Sequence, residues 1–145
     1  TQQGYLKSSN PGPSDYFGSS VAVSNECIVV GAWGESSNAR GINGSQGNND
    51  ANDAGAAYYF TRSNGTWVQR SYLKASNTLV TDSYGDYFGR AIALSGSTVL
   101  IGAFQEDGGS SGVGGDQFDR SLSSVRVYGR RSGCARHFRA VSCWR

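Results

Sequence analysis

The chain has 145 residues and a formal net charge of +2, enough length for one ordinary domain with its own core. Its 21 glycines, its many serines and asparagines and its frequent tyrosines and valines predict short strands joined by turns rather than helices. It contains no run of about 18 apolar residues, so no membrane-spanning helix is expected, and because the first residues lack the regions of a signal peptide, an exported form is expected to begin after its signal.

Four strands are predicted in the first half of the chain. A long loop rich in Gly, Asn and Ser, from Gly34 to Gly55, separates the second strand from the third. Four short antiparallel strands of this kind are typical of one propeller blade. The predicted strands are the alternating stretch at Val21 and Val23, the apolar run 27–30, the aromatic run 57–60, and residues 67–73, which follow a tight turn at Asn64-Gly65.

The second half of the chain repeats the first. Residues 5–10, YLKSSN, recur as residues 72–77, YLKASN, and residues 15–18, DYFG, recur as residues 86–89. From that point the register holds through Glu35, which matches Glu106, as far as Gln117. A register kept over this length indicates two copies of one structural unit.

These motifs resemble FG-GAP repeats, the blade units of integrin alpha-subunit propellers and of many bacterial surface and secreted proteins. Trp33 and Phe104 stand where that family usually has Pro. The resemblance implies an all-β fold of β-propeller blades, with one complete four-stranded antiparallel blade and partial flanking blades, an open fragment rather than a closed ring. The motif residues are Phe17, Gly18, Gly31 and Ala32 in the first copy and Phe88, Gly89, Gly102 and Ala103 in the second.

The chain is accordingly divided into four parts. Residues 1–10 are the end of the outer strand of a preceding blade, 16–77 the first blade, 86–128 a second, incomplete blade, and 129–145 a basic tail. A closed propeller needs at least four blades, or roughly 260 residues at this repeat length. We therefore expect a fragment of a longer protein or, as the alternative, several copies of the chain that close one ring together.

The tail differs in composition from the body. All eleven acidic residues precede Ser121, whereas six of the 13 basic residues follow it, together with Cys134, Cys143 and the single histidine, His137. The preferred interpretation is a shifted or truncated end without native structure. The alternative is an Arg-rich segment for nucleic acid or another anionic surface. Three cysteines without CxxC spacing indicate neither a zinc site nor a disulfide framework, and Cys27 is predicted to be a small buried apolar residue.

Metal binding has one candidate segment. The Asp-rich calcium loop of integrin-type blades is absent from residues 24–26 and 95–97, where it would lie. Asp50, Asn52 and Asp53 provide oxygens that suit weak calcium binding, but the favoured interpretation is a solvated turn. No other cofactor is expected.

The enzyme signals are poor, because His137 lies in the tail and the recurrence of Glu35 as Glu106 favours a structural role. The preferred function is a non-enzymatic extracellular module, secreted or at the cell surface, for adhesion or for binding a protein or glycan, with no nucleic-acid partner. The alternatives are a purely structural repeat and, third, a catalytic propeller such as a glycoside-active enzyme. The candidate ligand-binding residues, on the two long loops, are Asn43, Ser45, Gln46, Asp116 and Gln117.

Overall fold

The computed structural model describes residues 1–24, 26–78, 80 and 85–106 in full, and the backbone of residues 124–129 and 139–140. These residues form strands, turns and loops, and none of them belongs to a helix. Accordingly, the described residues contain no helix that is long and apolar enough to cross a membrane. The prediction of an all-β fold is confirmed.

The described strands form two antiparallel sheets, here named blade 1 and blade 2. In each sheet the strands are paired in chain order, so that every strand lies beside its sequence neighbour. Blade 1 contains β1 (Ser20–Ser24), β2 (Cys27–Ala32), β3 (Ala56–Ser63) and β4 (Thr66–Leu73), and blade 2 contains β5 (Phe88–Ser95), β6 (Thr98–Ala103), β7 (Ser124–Gly129) and β8 (Arg139–Ala140).

The hairpin between β3 and β4 turns at the predicted Asn-Gly pair. Asn64 and Gly65 both have positive φ, 52° and 78°, as a two-residue type I′ turn requires. The turn brings Ser63 opposite Thr66, and the pairing continues to Ala57 opposite Leu73 with one register shift at Tyr59 and Phe60. The local sequence therefore sets the register of the outer half of blade 1.

Blade 2 packs face to face on blade 1, with β5 lying over β1 and β2. The core between the two blades includes Val29 and Tyr59 from blade 1 and Phe88 and Ile101 from blade 2. The backbones come very close at Gly31, where a Cβ would lie 2.1 Å from the carbonyl oxygen of Gly89. Only glycine fits at this point of contact.

The opposite side of blade 1 forms a second core. Val30, Tyr58 and Phe60 are buried there, with Leu6 and Phe17 packed partly exposed against them. The repeat predicts Phe17 and Phe88 in equivalent buried positions, but only Phe88 is fully buried. The difference arises because Phe88 is sandwiched between two sheets, whereas Phe17 shares its side of blade 1 with the N-terminal segment that contains Leu6.

The segment Tyr5–Lys7 forms no strand, although its repeat Tyr72–Leu73 ends β4. Leu73 is paired with Ala57 on one side and with Ile42 of the long loop on the other. Among the described residues no strand pairs with Tyr5–Lys7, and an extended segment becomes a strand only through a hydrogen-bonded neighbour. The domain assignment of residues 1–10 therefore stays a prediction.

Blade 2 contains the strands that the sequence repeat predicts as far as β7, which is its third strand. β8 contributes only two residues, which pair with Tyr128 and Gly129, whereas β4 contributes eight to blade 1. The other residues of the basic tail, including Cys134, His137 and Cys143, lie outside the described residues. The interpretation of that tail as non-native stays a prediction.

Candidate functional site

A buried ion pair lies directly after β4, the outer strand of blade 1. The Nζ atom of Lys74 is 2.8 Å from Oε2 of Glu35, and both side chains are buried. Oε1 of Glu35 accepts hydrogen bonds from Nδ2 of Asn10 at 2.9 Å and from the backbone N–H of Ser37 at 3.2 Å. A buried charge of this kind is tolerated only where its partner and its hydrogen bonds are in place.

The titration of the surrounding groups follows from their burial. Burial lowers the pKa of Lys74, and the nearby Glu35 carboxylate opposes that change. Burial also raises the pKa of Asp15, although its carboxylate accepts a 2.7 Å bond from the N–H of Gly12. The pKa of Tyr58 is raised by burial and by Glu35, so its hydroxyl stays neutral and donates to Oδ1 of Asn10 at 2.8 Å. These groups are enclosed and mutually bonded, which suits a structural role better than catalysis.

One bond of this network recurs in blade 2. Nδ2 of Asn77 donates to Oε1 of Glu106 at 2.8 Å, as Asn10 does to Glu35. Asn77 directly follows the outer strand of blade 1, so the bond joins one blade to the glutamate of the next. The recurrence of the glutamates predicts a structural role for them, but the sequence analysis did not predict Lys74 as the cation beside Glu35. The available signal was the repeat of Lys7 as Lys74 together with the repeat of the glutamate.

Four aromatic residues and one arginine form a row along the end of the two sheets where β2 and β6 finish. Tyr16 stacks on Trp33 with ring centroids 4.3 Å apart, and Tyr87 meets Trp33 edge-on at 5.2 Å. The Arg90 guanidinium carbon lies 5.3 Å from the Trp33 ring centroid and 5.9 Å from that of Phe104. We call Tyr16, Trp33, Tyr87, Arg90 and Phe104 the aromatic row.

The aromatic row is accessible at both ends. Tyr16 is 52% exposed and Phe104 is 63% exposed, and Arg90 between them is also exposed. Large rings with a cation between them combine apolar stacking surface with directed N–H donors, a composition that suits ligand recognition. Trp33 is in contact with residues of both blades, so the row crosses the seam between them.

The row is built from repeated positions of the two copies. Tyr16 matches Tyr87, and both have positive φ, 54° and 52°, in the same turn before the first strand of the blade. Trp33 matches Phe104, the two positions at which the sequence departs from the usual Pro. The departure from Pro by itself indicates no function, and only the packing of the blades brings Trp33 beside Tyr87 and Arg90.

The FG-GAP motif residues shape this turn and the contact between blades. Gly18 and Gly89 have φ of 94° and 90°, a conformation that glycine adopts without strain. The N–H of Gly34 donates to the carbonyl of Asp15, and Gln105 donates to that of Asp86 in the same way. Four other motif residues lie at the ends of the second strands, Gly31 with Ala32 in β2 and Gly102 with Ala103 in β6, and of the two glycines only Gly31 lies at the contact between the blades.

The loop residues that are predicted to bind a ligand do not belong to the aromatic row. Asn43 pairs with the outer edge of β4, because its N–H donates to the carbonyl of Tyr72 and its Oδ1 accepts from the N–H of Tyr72. Gln46 accepts a hydrogen bond from Ser9, and Ser45 is exposed. Asp116 and Gln117 lie outside the described residues. The first part of this loop therefore covers a sheet edge, a position that protects β4 from pairing with another chain.

The candidate calcium segment is a hydrogen-bonded turn. Oδ2 of Asp50 accepts from Nδ2 of Asn38 at 3.1 Å, and Asn52 is exposed. Asp53 has φ of 51°, and its carbonyl accepts from the N–H of Tyr87, which ties the turn to blade 2. No group of three or more His, Cys, Asp or Glu side chains within the described part of the chain has the spacing to hold a metal ion. Calcium binding by Asp50, Asn52 and Asp53 stays a prediction.

Comparison with protein families agrees with this architecture. The family model described as FG-GAP repeat matches residues 1–60 and 67–117, more than half of the chain. The chain belongs to the FG-GAP repeat family. The two matches correspond to the two sequence copies, and the FG-GAP membership explains why blades 1 and 2 share their turns, their glutamates and the positions of their motif glycines. No curated protein matches the chain.

Proposed function

We propose that this chain is a non-enzymatic ligand-binding module of an exported or cell-surface FG-GAP propeller protein, and that the ligand binds at the aromatic row. The observation that carries the proposal is the exposure of Tyr16 and Phe104 on either side of Trp33 and Arg90. Exposed rings are costly to leave in water, and a row of them at one sheet end suits an interaction site.

An open pocket beside the aromatic row extends the proposed site. It has a volume of about 320 Å³, and Tyr16 forms part of its wall together with Lys7, Ser8 and Asp15. A glycan has flat apolar faces that stack on rings and hydroxyls that bond to polar groups, and this pocket offers both kinds of contact. A glycan is therefore the favoured ligand, and a protein surface is the alternative.

The second candidate function is a purely structural repeat. It is favoured by the position of Trp33, which contacts Tyr16 on one side and Tyr87 of blade 2 on the other. In that case the aromatic row would contribute to the stability of the blade contact and would bind nothing. The two functions differ in what the exposed end rings do, because Tyr16 and Phe104 lie at the free ends of the row.

The test is calorimetric titration of the chain with soluble neutral and acidic polysaccharides. We expect one of them to bind, and we expect Phe104→Ala and Tyr16→Ala each to weaken that binding about tenfold, equivalent to about 1.4 kcal/mol. Tyr5→Ala, at a ring that is exposed outside the row, is the matched control and should bind as the original chain does. Unaltered binding by both row variants would refute the assignment of the site.

Stability measurements on the same variants separate the two functions. A ligand-binding role predicts that the variants unfold at nearly the same denaturant concentration as the original chain but bind less. A structural role predicts the reverse, a loss of stability without any measurable glycan or protein ligand.

A further inference from the structure

The buried pair of Lys74 and Glu35 has an amide beside it. Glu35 holds a different nitrogen atom on each of its two oxygens. Nζ of Lys74 is 2.8 Å from Oε2, and Nδ2 of Asn10 is 2.9 Å from Oε1. An amine, a carboxamide and a carboxyl group that is bonded to both are the reactants and the acid–base group that amide-bond formation needs. The three residues are distant in the chain, so only the fold brings them together.

The burial of Lys74 favours its neutral amine, which is the nucleophilic form. Its side chain is 0% exposed, and burial lowers its pKa. The proton has an acceptor at 2.8 Å, since Oε2 of Glu35 can take it and leave a neutral amine beside a neutral acid. A neutral pair avoids the cost of two buried charges, and the enclosed site keeps out water, which would compete for the amide carbon.

The amide of Asn10 is held at both ends. Its Nδ2 donates to Glu35, and its Oδ1 accepts a 2.8 Å hydrogen bond from the hydroxyl of Tyr58. A hydroxyl that donates to the amide oxygen polarises the carbonyl and stabilises the negative charge that forms on this oxygen when a nucleophile attacks the carbon. The site therefore holds a donor for that oxygen, a carboxyl group for the leaving nitrogen and an amine for the attack.

We propose that Lys74 and Asn10 form an intramolecular amide bond, with Glu35 as the acid–base group and ammonia as the leaving group. Nζ of Lys74 attacks Cγ of Asn10, and the carbonyl electron pair moves to Oδ1, where Tyr58 donates. Glu35 gives a proton to Nδ2, the Cγ–Nδ2 bond breaks with its electron pair on the nitrogen, and Glu35 takes a proton from Nζ. Overall an ammonium group and a carboxamide become a secondary amide and an ammonium ion, and no oxidant or reductant is needed.

The link would close a covalent loop around blade 1. Its four strands, from Ser20 to Leu73, all lie between Asn10 and Lys74 in the chain. A covalent loop restricts the unfolded chain and so favours the folded one, as a disulfide does. The proposal goes beyond ligand binding and does not depend on the aromatic row.

The repeat provides an internal comparison. Asn77 donates to Glu106 at 2.8 Å, as Asn10 does to Glu35, but Lys7, the only other lysine in the sequence, is exposed. We therefore expect one link in this chain, at Asn10 and not at Asn77.

The test is the intact mass of the purified chain under denaturing conditions. We expect a mass that is lower than the sequence mass by one ammonia molecule. Because an Asn-Gly pair such as Asn64-Gly65 can also lose ammonia by cyclising, the site must be mapped after trypsin digestion. The link predicts one branched product that joins residues 8–40 to residues 71–90, with no cleavage after Lys74.

Variants test the role of each group. Asn10→Ala and Glu35→Gln should each retain the full sequence mass, whereas Asn77→Ala, the same kind of change at the repeat position, should lose ammonia as the original chain does. Tyr58→Phe retains the ring but not the donor, and should form the link about 100-fold more slowly when the mass is followed during cell-free synthesis. Circular dichroism checks that the sheets of each variant are formed.

Three outcomes would overturn the proposal. The first is a folded original chain with the full sequence mass, and the second is an ammonia loss that maps only to Asn64-Gly65. The third is a branched product that persists in Asn10→Ala.

Discussion

Blades 1 and 2 have the same motifs, but residues at equivalent positions have different surroundings. Lys74, after the outer strand of blade 1, is buried against Glu35, whereas Lys7, its repeat, is exposed. A Cβ at Gly31 would clash with the backbone of Gly89, whereas among the described residues a Cβ at Gly102 would meet only Ala91, at an ordinary contact distance of 3.5 Å. The comparison shows that the repeat specifies the blade, and that the presence of a neighbouring blade decides which of its residues become core.

The largest expected effect tests the lysine comparison. Lys74→Met should lower the free energy of unfolding by about 3–5 kcal/mol, because it leaves the Glu35 carboxylate buried without its cation. Lys7→Met, the same change at the exposed repeat position, should alter it by no more than about 0.5 kcal/mol. Urea unfolding of both variants at neutral pH, at protein concentrations low enough to prevent association, gives the two values.

A double variant sharpens this prediction. Lys74→Met combined with Glu35→Gln removes both charges and retains an oxygen that can accept from Asn10. We expect the double variant to be more stable than Lys74→Met alone, because the unpaired charge is gone. Equal stability of Lys74→Met and Lys7→Met would show that the surroundings of the two lysines do not differ as described.

The next effect tests the glycine comparison. Gly31→Ala should lower the free energy of unfolding by about 1–3 kcal/mol, because the added methyl group must push Gly89 and the rest of β5 away from blade 1. Gly102→Ala, at the repeat position, should change it by less than about 0.5 kcal/mol. The measurement is again urea unfolding at low concentration. A cost at Gly102 as large as that at Gly31 would contradict the claim that only one of the two glycines lies at the contact between the blades.

The smallest effect concerns Asp15, whose repeat is Asp86. Burial raises the pKa of Asp15 in the folded chain above the ordinary value of 3.8, which applies to the unfolded chain. At a pH between the unfolded-state pKa and the folded-state pKa, the folded chain therefore binds more protons than the unfolded chain. The contribution of Asp15 to stability is therefore fully present below about pH 3.8 and decreases as the pH rises through the folded pKa. Asp15→Asn does not titrate, so its stability relative to the original chain should increase with pH.

Unfolding of both proteins in urea from about pH 3.5 to about pH 7 measures this difference. Asp50→Asn, at an exposed carboxylate, corrects for the loss of a surface charge. A difference between Asp15→Asn and the original chain that stays constant over this range would refute the prediction.

The all-β class, the four strands of blade 1 and the Asn-Gly hairpin were all predictable from the sequence. Each depends on residues that are close together in the chain, since side-chain alternation and the φ preferences of Asn64 and Gly65 act over a few positions. The repeat also predicted equivalent places for Glu35 and Glu106, and each accepts a hydrogen bond from the Nδ2 atom of an asparagine. The loop residues predicted to bind a ligand, and the calcium segment, stay predictions.

Only the tertiary structure decided which equivalent residues are covered and which surfaces are exposed. Trp33 stacks on Tyr16, which lies 17 positions earlier in the chain, and meets Tyr87, which lies 54 positions later, and no local preference indicates that these rings meet across the seam between the blades. The same holds for Lys74 beside Glu35 and for Val21 exposed while Ile92 is packed. The sequence of this protein determined its blades, because hydrogen-bonded strands and turns follow from short-range preferences. The packing of one sheet on another determined its core and its candidate site, because burial depends on neighbours that are distant in the chain.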